Sequence, residues 1–132
     1  MGTGINVQCI QCRYNGSFML GTGSYYVLMD NCLEAMPARI VKEVKTLMQK
    51  HTIMDFKFAY KLYQCDDCLF LFDHGTLKVE FVNNRIYENK VKCPACENEL
   101  TGKHTPIEQI HDLTCPICQE SELYLFGQMD WD

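Results

Sequence analysis

The sequence predicts an α+β fold of short, mostly antiparallel β-strands with one main helix. Three observations lead to this prediction. The chain has 132 residues, which suits one domain or two small ones. Eight of its nine cysteines fall in Cys-x-x-Cys pairs, which are flanked by short runs that alternate apolar and polar residues. A single segment, about 37–50, repeats its apolar residues at helical spacing.

The paired cysteines are the strongest motif in the chain. Two thiolates three positions apart on a tight turn, here called a knuckle, can face one tetrahedral ion, and two knuckles complete a closed four-cysteine site. Four knuckles therefore predict two structural metal sites. Zinc is the favoured ion, with two per chain, although iron is an alternative because all-thiolate sites accept both metals. The predicted ligands are Cys9, Cys12, Cys65, Cys68, Cys93, Cys96, Cys115 and Cys118.

The spacing of the knuckles predicts which of them share an ion. Cys96 and Cys115 are separated by 18 residues, within the range of a zinc ribbon, and both later knuckles have the form Cys-Pro-x-Cys. A sequential arrangement follows, in which the third and fourth knuckles hold one ion and the first and second hold the other. The alternative is a crossed arrangement that joins the first knuckle to the third and the second to the fourth.

The knuckles lack one common local feature. Glycine often follows the second cysteine, because that position takes a positive φ angle that glycine adopts without strain. Here the followers are Arg13, Leu69, Glu97 and Gln119. The knuckles are therefore expected to be atypical in detail.

The remaining elements follow from local patterns. Pro37 suits the first turn of the main helix, and Asp73-His74-Gly75 is typical of a hairpin turn. Gly2-Thr3-Gly4 and Gly21-Thr22-Gly23 complete no phosphate-binding motif and predict a bend or a close backbone approach between two strands instead. Residues 106–113 are predicted to form a helical turn. The predicted strands are 5–8, 17–20, 24–29, 56–63, 69–72, 77–82, 86–91 and 123–126, the last ending at Gly127.

These elements predict two zinc-ribbon-like units of knuckles and hairpins. The first would cover residues 1–85 as an N-terminal zinc ribbon, with the helix of about 37–50 inserted in it. The second would cover residues 86–132 as a C-terminal zinc ribbon. The acidic end at 127–132, which contains Trp131, is expected to pack back on the domain or to serve as a docking peptide.

Other cysteine chemistry is less consistent with the sequence. The N-terminus has no signal-peptide pattern and no apolar run is long enough to span a bilayer, so a cytoplasmic location is expected, where thiols stay reduced. No membrane association is expected either. Catalytic dithiol chemistry would require a helix after the knuckle, whereas the residues after Cys118 alternate like a strand.

The sequence gives no signature of an enzyme. The four histidines stand apart without a zinc-protease motif, and neither His104 nor His111 completes the deaminase pattern. Cys32 and His51 have no local nucleophile signature, so Cys32 is predicted to be a buried structural thiol. We therefore predict no catalytic residues and no further cofactor.

The distribution of charged residues along the chain indicates which class of macromolecule it binds. The net charge is −5, and residues 67–132 carry 12 acidic and 5 basic side chains, whereas residues 1–66 carry 5 acidic and 7 basic. Each four-thiolate zinc site adds about −2 more. The predicted partner is a protein, and nucleic acid is the alternative. The residues that could contact phosphate are Arg13, Arg39, Lys42, Lys45 and Lys50.

The whole pattern resembles an uncharacterised bacterial double zinc-ribbon (rubredoxin-like) family. The likeness is carried by the four knuckles, by the Gly-x-Gly before Cys9 and after Cys12, by the helical insertion and by the acidic Trp-Asp end. It implies bound zinc and hairpins but no activity. The functional prediction is a non-enzymatic zinc-binding interaction or adaptor module. The alternatives are a nucleic-acid-associated zinc ribbon and, third, an iron electron carrier.

Overall fold

The computed structural model describes residues 2–131, and its centre is a six-stranded sheet in which every neighbouring pair is antiparallel. The order across the sheet is β5-β4-β3-β2-β1-β6. This sheet with a few helices agrees with the predicted α+β class. The strands are β1 (Gly2–Cys9), β2 (Asn15–Gly21), β3 (Ile53–Gln64), β4 (Leu71–Phe81), β5 (Ile86–Glu88) and β6 (Leu123–Trp131).

Two α-helices lie between β2 and β3: α1 (Met29–Glu34) and α2 (Ala38–Lys50). The main helix was predicted at about 37–50, and Pro37 directly precedes its first turn. Its apolar stripe is buried through Ile40 and Val44, which pack with the core side chains of β3 and β4. Full burial of such a side chain stabilises the fold by about 1.5–3 kcal/mol, so packing on the sheet holds this helix.

The predicted strand at 24–29 is wrong. Residues Ser24–Val27 form a short 3-10 helix, and α1 begins at Met29. The aromatic residues that suggested a strand act as anchors instead, since the Tyr26 ring stacks on Phe58 with centroids 4.7 Å apart. Packing against the sheet has overridden the local β-propensity.

The predicted hairpin turn at 73–75 is also wrong, because these residues lie inside the continuous strand β4. Gly75 pairs with Tyr60 of β3. A Cβ at this position would lie 2.8 Å from the Phe58 ring and 3.0 Å from the Met36 sulfur. The lack of a side chain at Gly75 therefore accommodates the Phe58 and Met36 side chains of the core and does not serve a turn.

The last strand passes through Gly127 and continues to Trp131, rather than ending at Gly127 as predicted. A bulge interrupts its pairing with β1, because Asn6 pairs with Gly127 while Val7 pairs with Leu125. Trp131 then packs back on the domain, where a Cβ on Gly2 would overlap its ring. Gly2 thus leaves room for the Trp131 side chain, while Asp132 lies outside the described residues.

Strand pairing crosses the predicted boundary between residues 85 and 86 at both edges of the sheet. β5 pairs with β4, and β6 pairs with β1 along its whole length. A core cluster likewise combines Val7 of β1 and Leu62 of β3 with Ile110, Leu113 and Leu123. Ile110 belongs to a 3-10 helix at Ile107–Asp112, where a helical turn was predicted. The division into 1–85 and 86–132 remains a prediction.

Candidate metal centre

The structure gathers eight cysteines into two groups of four, and either group can hold a metal ion. Within each group all four sulfur atoms lie within 4.8 Å of one another. We call Cys9, Cys12, Cys115 and Cys118 cluster A. Cluster B consists of Cys65, Cys68, Cys93 and Cys96.

The knuckles are therefore nested. The first joins the fourth in cluster A, and the second joins the third in cluster B. The sequential arrangement predicted from the 18-residue spacing is wrong, and so is the crossed alternative. The residues between Cys96 and Cys115 instead carry the chain from one cluster to the other, crossing β3 where Thr105 N–H donates to Leu62 O.

The order of the strands explains the nesting. β1 ends at Cys9 and pairs with the start of β6, so the fourth knuckle, which leads into β6, lies beside the first. The second knuckle connects β3 to β4. Because β5 pairs with β4, the chain that leaves β5 places the third knuckle beside the second. Because all neighbouring strands are antiparallel, both clusters lie at the same end of the sheet.

The sulfur positions fit a tetrahedral ion. In cluster A the Sγ–Sγ distances are 3.3 Å for Cys12–Cys115 and 3.8 Å for Cys9–Cys118. In cluster B they are 3.5 Å for Cys68–Cys93 and 3.6 Å for Cys65–Cys96. Metal–sulfur bonds of about 2.3 Å give tetrahedron edges of about 3.8 Å. These distances also exceed a disulfide bond, and all nine cysteines are free.

The backbone of all four knuckles takes the left-handed conformation after the second cysteine. The φ angles are 64° at Arg13, 65° at Leu69, 64° at Glu97 and 61° at Gln119. The residue types depart from the common glycine, but the knuckle geometry does not. In three knuckles this residue donates its N–H to the first cysteine's carbonyl, at 2.8–3.0 Å, as Glu97 does to Cys93.

Backbone N–H groups inside the knuckles point toward sulfur. In cluster A, the N–H of Gln11 lies 3.4 Å from the Cys9 sulfur, and that of Ile117 lies 3.4 Å from the Cys115 sulfur. A hydrogen bond from the Cys12 N–H is the main reason that the pKa of Cys9 falls to about 6. In cluster B, burial raises the pKa of Cys93, but N–H groups of Cys96 and Ala95 outweigh it and bring the value to about 7.

The thiol of Cys115 is harder to ionise, because burial raises its pKa to about 11. A cation is therefore needed to hold all four thiols of the cluster as thiolates. Four thiolates complete a tetrahedral coordination and leave no open position, which is the arrangement of a structural site rather than a catalytic one.

The two clusters present different surfaces. Each knuckle in cluster A exposes an isoleucine at its tip, with Ile10 76% and Ile117 68% exposed. The second knuckle, in cluster B, presents Asp66 and Asp67 instead, and Asn98 donates a hydrogen bond to the Asp67 carboxylate. In both clusters the first cysteine of each knuckle is buried and the second is partly exposed.

The side chain of Gln64 joins the two clusters, and no sequence motif indicates this role. Gln64 precedes Cys65, and its amide nitrogen donates to Leu69 O at 3.0 Å and to Thr114 O at 2.6 Å. The Thr114 N–H returns a hydrogen bond to the Gln64 amide oxygen. Since Leu69 lies in a cluster B knuckle and Thr114 precedes Cys115, one amide group ties the clusters together.

The remaining candidates lie outside both clusters. Cys32 is fully buried, as predicted, and its thiol lies 3.3 Å from Tyr26 O. Burial raises its pKa to about 11. His51 bonds Asn83 rather than Cys32, and His111 lies beside Asp112. Within residues 2–131 no histidine belongs to either cluster.

Comparison of the chain with protein-family models, with curated proteins and with solved structures finds no match. The resemblance to zinc-ribbon proteins therefore rests on the cysteine pattern and on the two clusters that it forms. Across the part of the chain that the structure describes, no helix combines the length and the apolar character that crossing a bilayer requires.

Proposed function

We propose that this chain is a non-enzymatic protein-interaction or adaptor module of the bacterial cytoplasm, held together by two structural zinc ions. The observation that carries the proposal is the pair of four-cysteine clusters at one end of a single sheet. Every sulfur in them would be used for coordination, so neither ion offers a position for substrate.

The clusters support an organisation of two zinc-ribbon-like units that are nested rather than consecutive. One unit comprises β1, β2 and β6 with cluster A, and the other comprises β3, β4 and β5 with cluster B. The helices fill the connection between them. In this arrangement the C-terminal unit of the sequence prediction is divided between the two.

A structural role for the ions follows from what each cluster connects. Cluster A connects the hairpin of β1 and β2 to residues 115–118. Cluster B connects the hairpin of β3 and β4 to residues 93–96. Each structural zinc contributes on the order of 10 kcal/mol to folding at neutral pH. Zinc is favoured over iron because this role needs a fixed tetrahedral ion and no change of oxidation state.

Surface character supports a protein as the partner. Exposed apolar side chains occur at the knuckle tips of cluster A and on the edge strand β6, where Phe126 and Met129 are exposed. Acidic side chains dominate residues 67–132, which disfavours a phosphate backbone. Apolar groups beside an acidic surface suit contact with another protein.

Elemental analysis of the protein from its native host tests the proposal directly. We expect two zinc ions per chain, a colourless preparation and a co-purifying protein. Cys115→Ser should release one ion from cluster A, and Cys93→Ser should release one from cluster B, while the control Cys32→Ala keeps both. A red iron-containing preparation, or retention of both ions in both serine variants, would contradict the proposal.

A further inference from the structure

A groove of about 650 Å³ runs along the edge of β3 where β2 leaves the sheet. β2 and β3 share the single register pair Gly21–Tyr60, after which the chain turns into the 3-10 helix at Ser24–Val27. The stretch of β3 at 53–59 is therefore paired with β4 on one side and has no strand partner on the other among the described residues.

Side chains bond to two main-chain groups of this edge. The Thr22 hydroxyl donates to Phe58 O, and the Asp55 carboxylate accepts the Phe56 N–H at 2.8 Å. These contacts satisfy the two groups without adding a strand to the edge. An incoming main chain could replace both, as in the peptide complexes that extend an existing sheet.

Positive charge is concentrated in the groove. Lys57, Lys61 and Lys78 line it, and Lys57 lies directly opposite Lys78 in the strand pairing. Like charges opposite each other destabilise a sheet unless an anion lies between them. Lys78 has a carboxylate of Glu88 at 3.8 Å, but both side chains are largely exposed, so this ion pair compensates little.

Lys103 extends the patch. The pairing of Thr105 with Leu62 brings Lys103 to the same end of β3 as Lys61. Burial lowers the pKa of His104 beside them, and the positive charges of Lys61 and Lys103 lower it further. The positive charge at this end of the groove is unusual in a chain of net charge −5.

We propose that this groove docks a short, extended acidic segment of a partner protein, which adds as a strand along the free edge of β3. The inference rests on the proposed interaction function and names the chemistry of the partner. Its main chain would pair with β3 on the side away from β4, and its carboxylates would lie beside Lys57, on the face of the sheet that Lys57 shares with Lys78.

The spacing of the lysines specifies the segment. Lys57 and Lys61 point to the same face of β3 and are about 13 Å apart along the strand. The unpaired stretch of β3 ends at residue 59, because Tyr60 already pairs with Gly21. A bound strand with carboxylates two residues apart would place one beside Lys57 and direct the other toward the Lys61 side chain at the end of the groove. The partner motif is thus two acidic residues at positions i and i+2 in an extended run of β-forming residues.

Nucleic acid fits the groove less well than an acidic peptide. The positive patch is short, since Asp55 also lines the groove and the nearby residues Glu80 and Glu88 are acidic. A phosphate backbone that ran beyond the lysines would meet this negative surface and the thiolate clusters. A peptide needs only a few carboxylates and can gain main-chain hydrogen bonds from β3.

Titration of the zinc-loaded protein with a short fluorescent peptide tests the inference. The probe carries glutamates two positions apart in a run of threonine and valine. The double variant Lys57→Gln with Lys61→Gln should bind it at least about fivefold more weakly. The matched control, Lys42→Gln with Lys45→Gln on the exposed face of α2, has the same net charge and should bind within about twofold of the native protein.

Two further probes separate peptide docking from other binding. A peptide with lysines in place of the glutamates should not bind, and N-methylation of its backbone should weaken the acidic peptide. Binding of oligothymidylate that depends on Lys57 and Lys61 would reassign the groove to nucleic acid and overturn the inference. Equal weakening by both double variants would reduce the effect to overall charge and overturn it as well.

Zinc content measured in the same samples distinguishes the two proposals. No peptide binding at up to about 1 mM, with both ions retained, overturns the groove inference and leaves the proposed function standing. Absence of zinc from the native protein would instead contradict the proposed function.

Discussion

At the scale of single residues, the four positions after the second cysteines carry backbone strain. Arg13, Leu69, Glu97 and Gln119 all have φ between 61° and 65°, in the left-handed region. This conformation costs a residue with a Cβ about 1–2 kcal/mol. Part of the stability supplied by metal binding therefore offsets the strain in the knuckles.

Replacing one of these residues with glycine should relieve the strain. We expect Glu97→Gly to raise the free energy of unfolding of the zinc-loaded protein by about 0.5–1 kcal/mol, measured by urea denaturation. Glu99→Gly is the matched control, since Glu99 has no positive φ angle and the change should lower stability by about 0.5–1 kcal/mol. Destabilisation by both variants would show that the knuckle is not strained.

Cys32 provides a second test at this scale. Burial raises its pKa from 9.0 to about 11, so its reactive thiolate is scarce near neutral pH. In the zinc-loaded protein, alkylation at about pH 8 should spare Cys32, whereas denaturation with a chelator should expose all nine thiols. Mass spectrometry of the modified peptides measures this. Rapid labelling of Cys32 in the folded protein would contradict its burial.

The same shift determines the sign of the pH dependence. A neutral thiol with a raised pKa in the folded state stabilises the fold below pH 9.0, and this contribution is lost as the pH rises from 9.0 toward about 11. The stability that Cys32 contributes should thus decline in alkali. Cys32→Ala removes this part of the decline.

At the scale of elements, Gln64 joins the hairpin of β3 and β4 to the chain that enters the fourth knuckle. Gln64→Ala would leave Leu69 O and both main-chain groups of Thr114 without this partner. We expect a loss of about 1–3 kcal/mol in unfolding free energy, together with faster zinc release to a chromophoric chelator. The control Gln11→Ala, at an exposed knuckle tip, should change stability by less than about 0.5 kcal/mol. Equal effects would contradict the bridging role.

Elements with a strong local period could be predicted from the sequence. The stripe that contains Ile40 and Val44 located α2, and alternation located most of β3. The 24–29 segment could not be located in this way, because Tyr26 is placed by its contact with Phe58 of β3. Gly75 was misread for a similar reason, since its role depends on the packing of Phe58 and Met36 rather than on its neighbours in sequence.

The eight clustered cysteines could be identified from their spacing, but their partners could not. The spacing of cysteines indicates only which of them are close along the chain. The nested arrangement depends instead on the pairing of β1 with β6, which are more than a hundred residues apart in sequence. The groove along β3 was missed for the same reason, because Lys57 and Lys78 become neighbours only when β3 and β4 pair.

At the scale of the whole molecule, the charge distribution predicts weak interaction with nucleic acid. The acidic residues of 67–132 and the thiolate clusters should repel phosphate. We expect no detectable binding of random-sequence DNA or RNA at about 0.15 M salt. Tight, salt-sensitive binding that Lys42→Glu with Lys45→Glu abolishes would favour a nucleic-acid-associated ribbon instead.

The nested arrangement of two four-cysteine sites unites the strand order, the knuckle geometry and the proposed structural ions. Substitution of cadmium for zinc allows this arrangement to be measured by NMR, because the coupling between ¹¹³Cd and the cysteine β-protons identifies the ligands of each ion. We predict two cadmium resonances, one coupled to Cys9, Cys12, Cys115 and Cys118 and the other to Cys65, Cys68, Cys93 and Cys96. A single resonance, or one coupled to both Cys93 and Cys115, would contradict the nested arrangement.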